Sequence, residues 1–474
     1  MGPGLSEDST ALWLLSIFGG PPRKLRDDSG RAAVAPDGAH VAFVSGKAEA
    51  ELWLMGPGGE DPRRLLQAEA GERFLQLQWS PDSRRLAYFS SRHRGSDVDL
   101  SIRTLDVSSG AVATLFRDDG LRSFCWAPNG NIIYSTEEPQ QAASDNLWSI
   151  SVNTASGQPK EKPQRITRWA GFTFTDLSLT ADGRRLTFVR AGLRTNVHVA
   201  DMASAPEPRQ LTLDERHDIP TAWLPDASSV LFHSDRNGNW DLFRQSVSQR
   251  IPEEVALGPE DQFDARLAPD GASLLYWNSP SLESGVVPMR LVQLPLGGGA
   301  PRTVLEARAG ASFRCAEHSG CVLAEPDTPH HQLVFTSFAP SSGRGAELQR
   351  LDYDVTLPPA WDLSLDGATL AAINLPGDAT SVRLVPVAGG AARKLPIGQR
   401  VVELTGIAWA ERSLVIAANS VRGSQLILLT LDGRSRVLWK ATSIITAPVV
   451  ARDGKHLAFA LTGRISNVWL VENF

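Results

Sequence analysis

The chain has 474 residues, 42% of them hydrophobic, with 40 Gly, 31 Pro, only 3 Cys and a formal net charge of −6. Its size allows a large buried core, and its acidic balance argues against a nucleic-acid partner, which needs a basic field to meet phosphate. Helical periodicity is almost absent, and the Gly and Pro content fits a fold built from many turns.

In chain order, residues 1–10 open with MGPG and read as an expression remnant or flexible N-terminus. Residues 11–18 (ALWLLSIF) are too few to span a bilayer, which takes about 20 apolar residues. Followed at once by GGPPRKL, they read as a strand. From there a unit of turn, apolar strand, polar hairpin and apolar strand recurs. The turn is APDG at Ala35, SPDS at Ser80, APNG at Ala127, TADG at Thr180, LPDA at Leu224, APDG at Ala268, SLDG at Ser364 and ARDG at Ala451. Eroded copies, AEHSG from Ala316 and WAERS from Trp409, fill the gaps. The period of roughly 42 to 53 residues is that of a four-stranded propeller blade. We therefore expect an all-β fold over residues 11–474, a β-propeller of about ten four-stranded repeats. One closed ring is the preferred arrangement, because pairing the two termini removes exposed sheet edges; two smaller tandem propellers are the alternative.

The stretch SDRNGNWDLF, residues 234–243, has two readings. Asp and Asn oxygens at alternating positions resemble a calcium loop, whereas Asn-Gly between strand-like flanks is a tight hairpin. Sister copies such as RAGLRTNVHV keep the hairpin and drop the acidic residues, which favours the turn. His330 and His331 sit at a hairpin tip, where adjacent strand-like side chains point to opposite faces; no metal site is expected there, and no cofactor anywhere. No G-x-S-x-G elbow, H-E-x-x-H, paired C-x-x-C, phosphate loop or dinucleotide fingerprint occurs, so a non-enzyme is expected. Cys315 and Cys321 flank an eroded turn on facing strands and are disulfide candidates; Cys125 reads as buried. A bridge would fit an oxidising compartment such as the periplasm. The links between repeats carry the residues best suited to recognition: Trp169 and Phe172 in one, Asp214, Arg216, His217 and Asp218 in the next, and Glu260, Asp261 and Phe263 in a third. Aromatic and Arg side chains are common interface anchors, and these residues are the candidate binding face.

The PDG turns and SDRNGNWDLF resemble TolB-like β-propeller repeats. RWAGFTFTDLSLTADGRRLTF, FRCAEHSGCVLAEPD, QLVFTSFAPSSGRGAELQRLD, WDLSLDG, LDGRSRVLWK and SNVWLVENF resemble the C-terminal propeller of acidobacterial-type membrane serine/threonine kinases or winged-helix transcriptional regulators. That resemblance covers residues 12–474. It implies an extracytoplasmic sensor or interaction module, periplasmic or otherwise outside the cytoplasm, taking a small ligand or an envelope protein. The effector and membrane anchor would lie upstream, as no membrane span is read in this sequence. A TolB-type protein-docking scaffold is the second reading, and an unrecognised enzyme with a site in the channel the third.

Overall fold

The computed structural model describes residues 10–46, 49–94, 97–138, 144–169, 171–203, 207–280, 288–316, 320–353, 360–376 and 380–472. Residues 1–10 thus lie almost wholly outside the described residues, as do residues 317–319 of the eroded AEHSG turn. Among the described residues no helix is long and apolar enough to cross a membrane.

Eight antiparallel sheets of four sequential strands carry the fold, and the architecture is the expected β-propeller. Local sequence explains the blades. The second strand of each repeat, such as Val41–Ser45, Ser273–Ser279 or Ser413–Ser420, is a run of four or five buried residues. It is covered on both faces by neighbouring sheets, so it reads as continuously apolar rather than alternating. The turns repeat one hydrogen-bond pattern. The amide of Gly38 donates to the Ala35 carbonyl at 2.9 Å, that of Gly271 to Ala268 at 2.9 Å and that of Gly454 to Ala451 at 3.0 Å. These glycines have φ values of 72°, 65° and 65° in turn, which only glycine reaches without strain. The Asp before it accepts from the backbone beyond, as Asp37 does from Ala39 at 2.9 Å. In WAERS the glycine is gone, and Glu411 takes the positive φ of 48°.

The chain divides into two compact units: residues 1–193 with 465–474, and residues 194–464. This corrects the single ring of about ten blades in favour of two smaller propeller units. The expected terminal closure does not form. Arg23–Asp27 pairs with Ala11–Leu14, while the last strand, His456–Glu472, lies between Arg185–Asp201 and Ile444–Val450. His456–Glu472 and Arg185–Asp201 are each 17 residues long and serve one unit with each half.

In the second unit, Ile444–Val450, the first half of His456–Glu472, the second half of Arg185–Asp201 and Arg209–Gln210 make one four-stranded sheet. Five further sheets run from Asp218–Trp223 to Ser435–Ala441. Tryptophans tie the inner strands into a ring. Trp409 Nε1 donates to the Asp362 carbonyl at 3.3 Å, Trp361 Nε1 to Ser312 Oγ at 2.9 Å and Trp223 Nε1 to the Val449 carbonyl at 3.1 Å. The last bond joins the first complete blade to the one assembled from both chain segments, so this unit closes on itself.

In the first unit three four-stranded sheets span Ser29–Val34 to Gln164–Arg165, and Ala11–Leu14 pairs with Arg23–Asp27. Trp79 Nε1 donates to the Ala33 carbonyl at 2.9 Å in the same manner. Aromatic rings fill the space between sheets in both units: Phe74, Phe124 and Phe188 in the first, Phe232, Phe313 and Phe335 in the second, all buried. Truncating one such ring to Ala costs about 3–5 kcal/mol.

Candidate functional site: the channel of the second unit

Six inner strands of the second unit surround a cavity of about 510 Å³. They are Asp218–Trp223, Asp261–Leu267, Ser312–Ala316, Ala360–Leu363, Glu403–Ala410 and Ile444–Val450. Asp264, Arg266, Arg314 and Asp362 face it, with His233 behind and Trp361 beside them. A β-bulge between Phe263 and Arg266 turns Asp264 inward, with a φ of 48°. Arg266 Nη2 lies 3.0 Å from Asp264 Oδ1, Arg314 Nη1 3.5 Å from Asp264 Oδ2, and Arg314 Nε 3.2 Å from Asp362 Oδ1. The amide of Trp409 donates to Asp362 Oδ2 at 2.8 Å. The Arg314 guanidinium stands 5.4 Å over the Trp361 ring.

Burial would lift the Asp264 carboxyl, but Arg266, Arg314 and His233 outweigh it and hold it below the usual range. Burial, with Arg266 adding to it, lowers Arg314 against the pull of Asp264 and Asp362. His233 is pushed down to about 4 by burial, Asp264 opposing and Arg266 reinforcing. Its ring lies edge-on to Trp240 at 4.9 Å, and its Nδ1 is buried with no hydrogen-bond partner among the described residues. The site therefore presents two carboxylates, three guanidinium groups, those of Arg266, Arg314 and Arg452, and a neutral imidazole against indole walls. That chemistry suits ion pairing and stacking with a bound group, while an imidazole with so low a pKa is a weak base at neutral pH.

Sequence reasoning missed these residues, yet a signal was present. Two places before each turn stand Ala33, Gln78, Cys125, Ser178 and Ala222, then Arg266, Arg314 and Asp362, then Ala408 and Val449. Three consecutive repeats thus place a charge where the others carry a small or uncharged side chain. The first unit provides the contrast: its cavity of about 480 Å³, lined by Trp79, Trp126, Gln78 and small apolar residues, has no charged side chain in its wall.

The residues singled out from the links lie elsewhere. Trp169 and Phe172 belong to the first unit, and the other seven to the second; none of those seven lines the cavity. Trp169 is 36% exposed and rests on Phe174 and Phe188 at 5.1 and 5.9 Å. Phe172 stacks on the Arg190 guanidinium at 3.6 Å. Arg236 pairs with Asp218 at 2.9 Å and approaches Asp214 at 4.0 Å. Burial lifts the Asp218 carboxyl despite Ser234 and Arg236. His217 Nδ1 is 3.1 Å from Thr195 Oγ1, and Arg216 is exposed. Glu260 pairs with Arg290, Asp261 is buried and accepts from the Trp240 amide at 3.0 Å, and Phe263 is a core side chain.

The SDRNGNWDLF stretch is the expected hairpin. The Gly238 amide donates to the Asp235 carbonyl at 3.0 Å, with a φ of 101° at Gly238. Its polar side chains hold backbone: Asp235 accepts from the His217 amide at 2.9 Å, and Asn239 Nδ2 donates to the carbonyls of Gly258 and Glu260 at 3.0 and 2.9 Å. Asn146 Oδ1 accepts from the Trp169 amide at 2.7 Å, and Asn196 Nδ2 donates to the Asp214 carbonyl at 3.2 Å. The recurrent Asx therefore fixes the links between repeats. Among the described residues no three His, Cys, Asp or Glu side chains group as a metal would require. His330 ends a short turn over Thr328–His330, its Nδ1 3.0 Å from Asp327. Cys315 and Cys321 face each other on paired strands and are joined in a disulfide, with Cα atoms 4.0 Å apart, and Cys125 is buried.

No known family profile matches the chain, and no curated protein matches it. Solved structures do resemble it. A putative TolB from Agrobacterium tumefaciens aligns with a TM-score of 0.46 and 16% identity, covering 57% of this chain and 99% of that one. TolB from Acinetobacter baumannii gives 0.23 and 14%, over 66% of this chain and 61% of that one. A puromycin-hydrolyzing peptidase from Mycobacterium tuberculosis gives 0.32 and 14%, over 78% and 54%. This chain spans less than two thirds of the last two, and at such identities the likeness is one of fold.

Proposed function

We propose that the chain is a non-catalytic binding module whose second unit takes a polar ligand, or a segment of a protein partner, into its channel. The observation that carries this is the convergence of Arg266, Arg314 and Asp362, from the same position of three consecutive repeats, on one cavity. Loops and strand ends on a rigid ring can vary for recognition without disturbing the core. A ligand screen by thermal shift tests it, because a ligand that binds only the folded state raises Tm as RT ln(1 + [L]/Kd). The pair Asp264→Asn with Arg266→Gln removes one balanced ion pair and should abolish the shift while changing Tm by only a few degrees. A hit whose shift survives both substitutions places binding elsewhere. Turnover of ester, peptide, glycoside or phosphate substrates that disappears with these substitutions would make the protein an enzyme.

In this reading the module is extracytoplasmic, either the sensor part of a membrane kinase or winged-helix regulator or a TolB-type docking scaffold. The Cys315–Cys321 bond supports an oxidising compartment. A hit that is a small molecule favours the sensor, and one that is an envelope protein favours the scaffold.

A further inference from the structure

One sheet of the first unit is a strand short. Thr173–Leu179 pairs with the first half of Arg185–Asp201, which pairs in turn with residues 465–472. Arg185 Nε reaches Glu472 at 2.8 Å, and in the other halves of the same strands Thr195 meets Thr462 at 2.9 Å, so the two run antiparallel. Ile444–Val450 pairs only as far as Thr462. Among the described residues no strand pairs with the outer edge of residues 465–472, whereas the three complete sheets of this unit each have a fourth strand. An open edge presents unpaired backbone donors and acceptors in a row, a template for another strand.

The repeat itself shows what chemistry that strand should have. Third strands ELWLM (Glu51–Met55) and DNLWSIS (Asp145–Ser151) align with SNVWLV at residues 466–471, setting Trp53, Trp148 and Trp469 at one position. In the two of the three complete sheets that carry this Trp, the outer strand places an arginine opposite the indole: Arg64 pairs with Trp53, and Arg165 with Trp148. The Arg165 guanidinium lies 6.0 Å over the Trp148 ring. An apolar residue follows, Leu66 opposite Leu52 in one case and Ile166, whose amide donates to the Leu147 carbonyl at 2.8 Å, in the other. At the open edge Trp469 is 40% exposed, and its neighbours Val468 and Leu470 are 76% and 53% exposed. Arg190, 4.2 Å from the ring centroid, steadies the indole from the adjacent strand.

We propose that this edge is a docking site for an extended segment of a partner protein, which joins as the fourth strand with a basic residue facing Trp469 and an apolar residue one or two places on. Main-chain pairing supplies affinity in such strand addition, and the alternating side chains supply selectivity. A second copy of this chain is a poor occupant: residues 465–472 contain no basic residue to set against Trp469. The chain's own outer strands of the right character, Arg63–Gln67 and Gln164–Arg165, are already paired.

A fluorescein-labelled peptide copying residues 61–69 (DPRRLLQAE) serves as probe, with binding to the full chain followed by anisotropy. Saturable binding is expected, at least about tenfold weaker when the peptide's two arginines become glutamate or when alternate amides along one edge are methylated. Both controls leave the protein unaltered. Trp469→Ala should weaken binding similarly and Trp469→Phe only slightly, with circular dichroism confirming the fold of each. Absence of saturation up to roughly 1 mM, or indifference to backbone methylation, overturns the proposal. So does a concentration-dependent dimer in light scattering that the peptide fails to dissociate, because a second copy would then hold the edge. Loss of the channel ligand in the Asp264 and Arg266 variant should leave peptide binding intact, so the two sites fail independently.

Discussion

His233 shows how one side chain couples the channel to pH. Unfolded, its imidazole takes a proton near 6.5, and in the fold only near 4. The unfolded state therefore binds more protons across that interval, and stability falls as the pH drops through it. The full loss is at most about 3 kcal/mol. Urea midpoints measured from pH 7 to pH 4 should decline more steeply for the native protein than for His233→Gln; equal slopes would mean the imidazole titrates normally. Asp261 illustrates the opposite lesson. In the sequence it reads as a rim carboxylate, but it is buried and takes the Trp240 amide at 3.0 Å. Asp261→Ala should therefore cost about 1–3 kcal/mol by leaving that donor without its acceptor, measurable as a lower Tm irrespective of any ligand.

At the scale of elements, the strands Ser312–Ala316 and Gly320–Asp327 are joined by the disulfide where the usual Asp-Gly turn is missing. Its covalent loop is short, so in the chain-entropy account the gain is roughly 2–3 kcal/mol. Denatured, unreduced protein should expose one reactive thiol of the three cysteines, that of Cys125, and Cys315→Ser with Cys321→Ser should lower Tm. Three reactive thiols would show the bond absent from the purified protein. The blade turns and hairpins were legible because their chemistry is local: Gly at positive φ and Asx side chains that bond nearby backbone act over a few residues. Residues such as Asn146 and Asn239 could be recognised as turn-type, but the links they hold, at Trp169 and at Glu260, are set by contacts about 20 residues away.

For the whole molecule, the two long strands decide the outcome. Residues 465–474 belong to the first unit, where Val471 packs with Phe174 and Phe188 and Trp469 covers Arg190. Truncation after Arg464 should raise amide hydrogen exchange in Thr173–Leu179 and in residues 185–193. The ring from Asp218–Trp223 to Ile444–Val450 should keep its protection. Uniform deprotection across both units would show that the chain unfolds as a single cooperative body instead.

The sequence by itself determined the blade: its period, its turns, the order of its strands and the character of its outer strand are all written in local residue patterns. Only the tertiary structure decided how many rings those blades make. Closure depends on which distant strand meets His456–Glu472, and Arg23–Asp27 and Arg185–Asp201 are both of strand type, so no local pattern chooses between them. The channel followed the same rule. Arg314 and Asp362 each look like an isolated charge in an apolar strand, and Arg266 shares its strand with Asp261 and Asp264. They become one site because closing a six-sheet ring brings inner strands about 48 residues apart side by side. There, ion pairing offsets part of the cost of burying them.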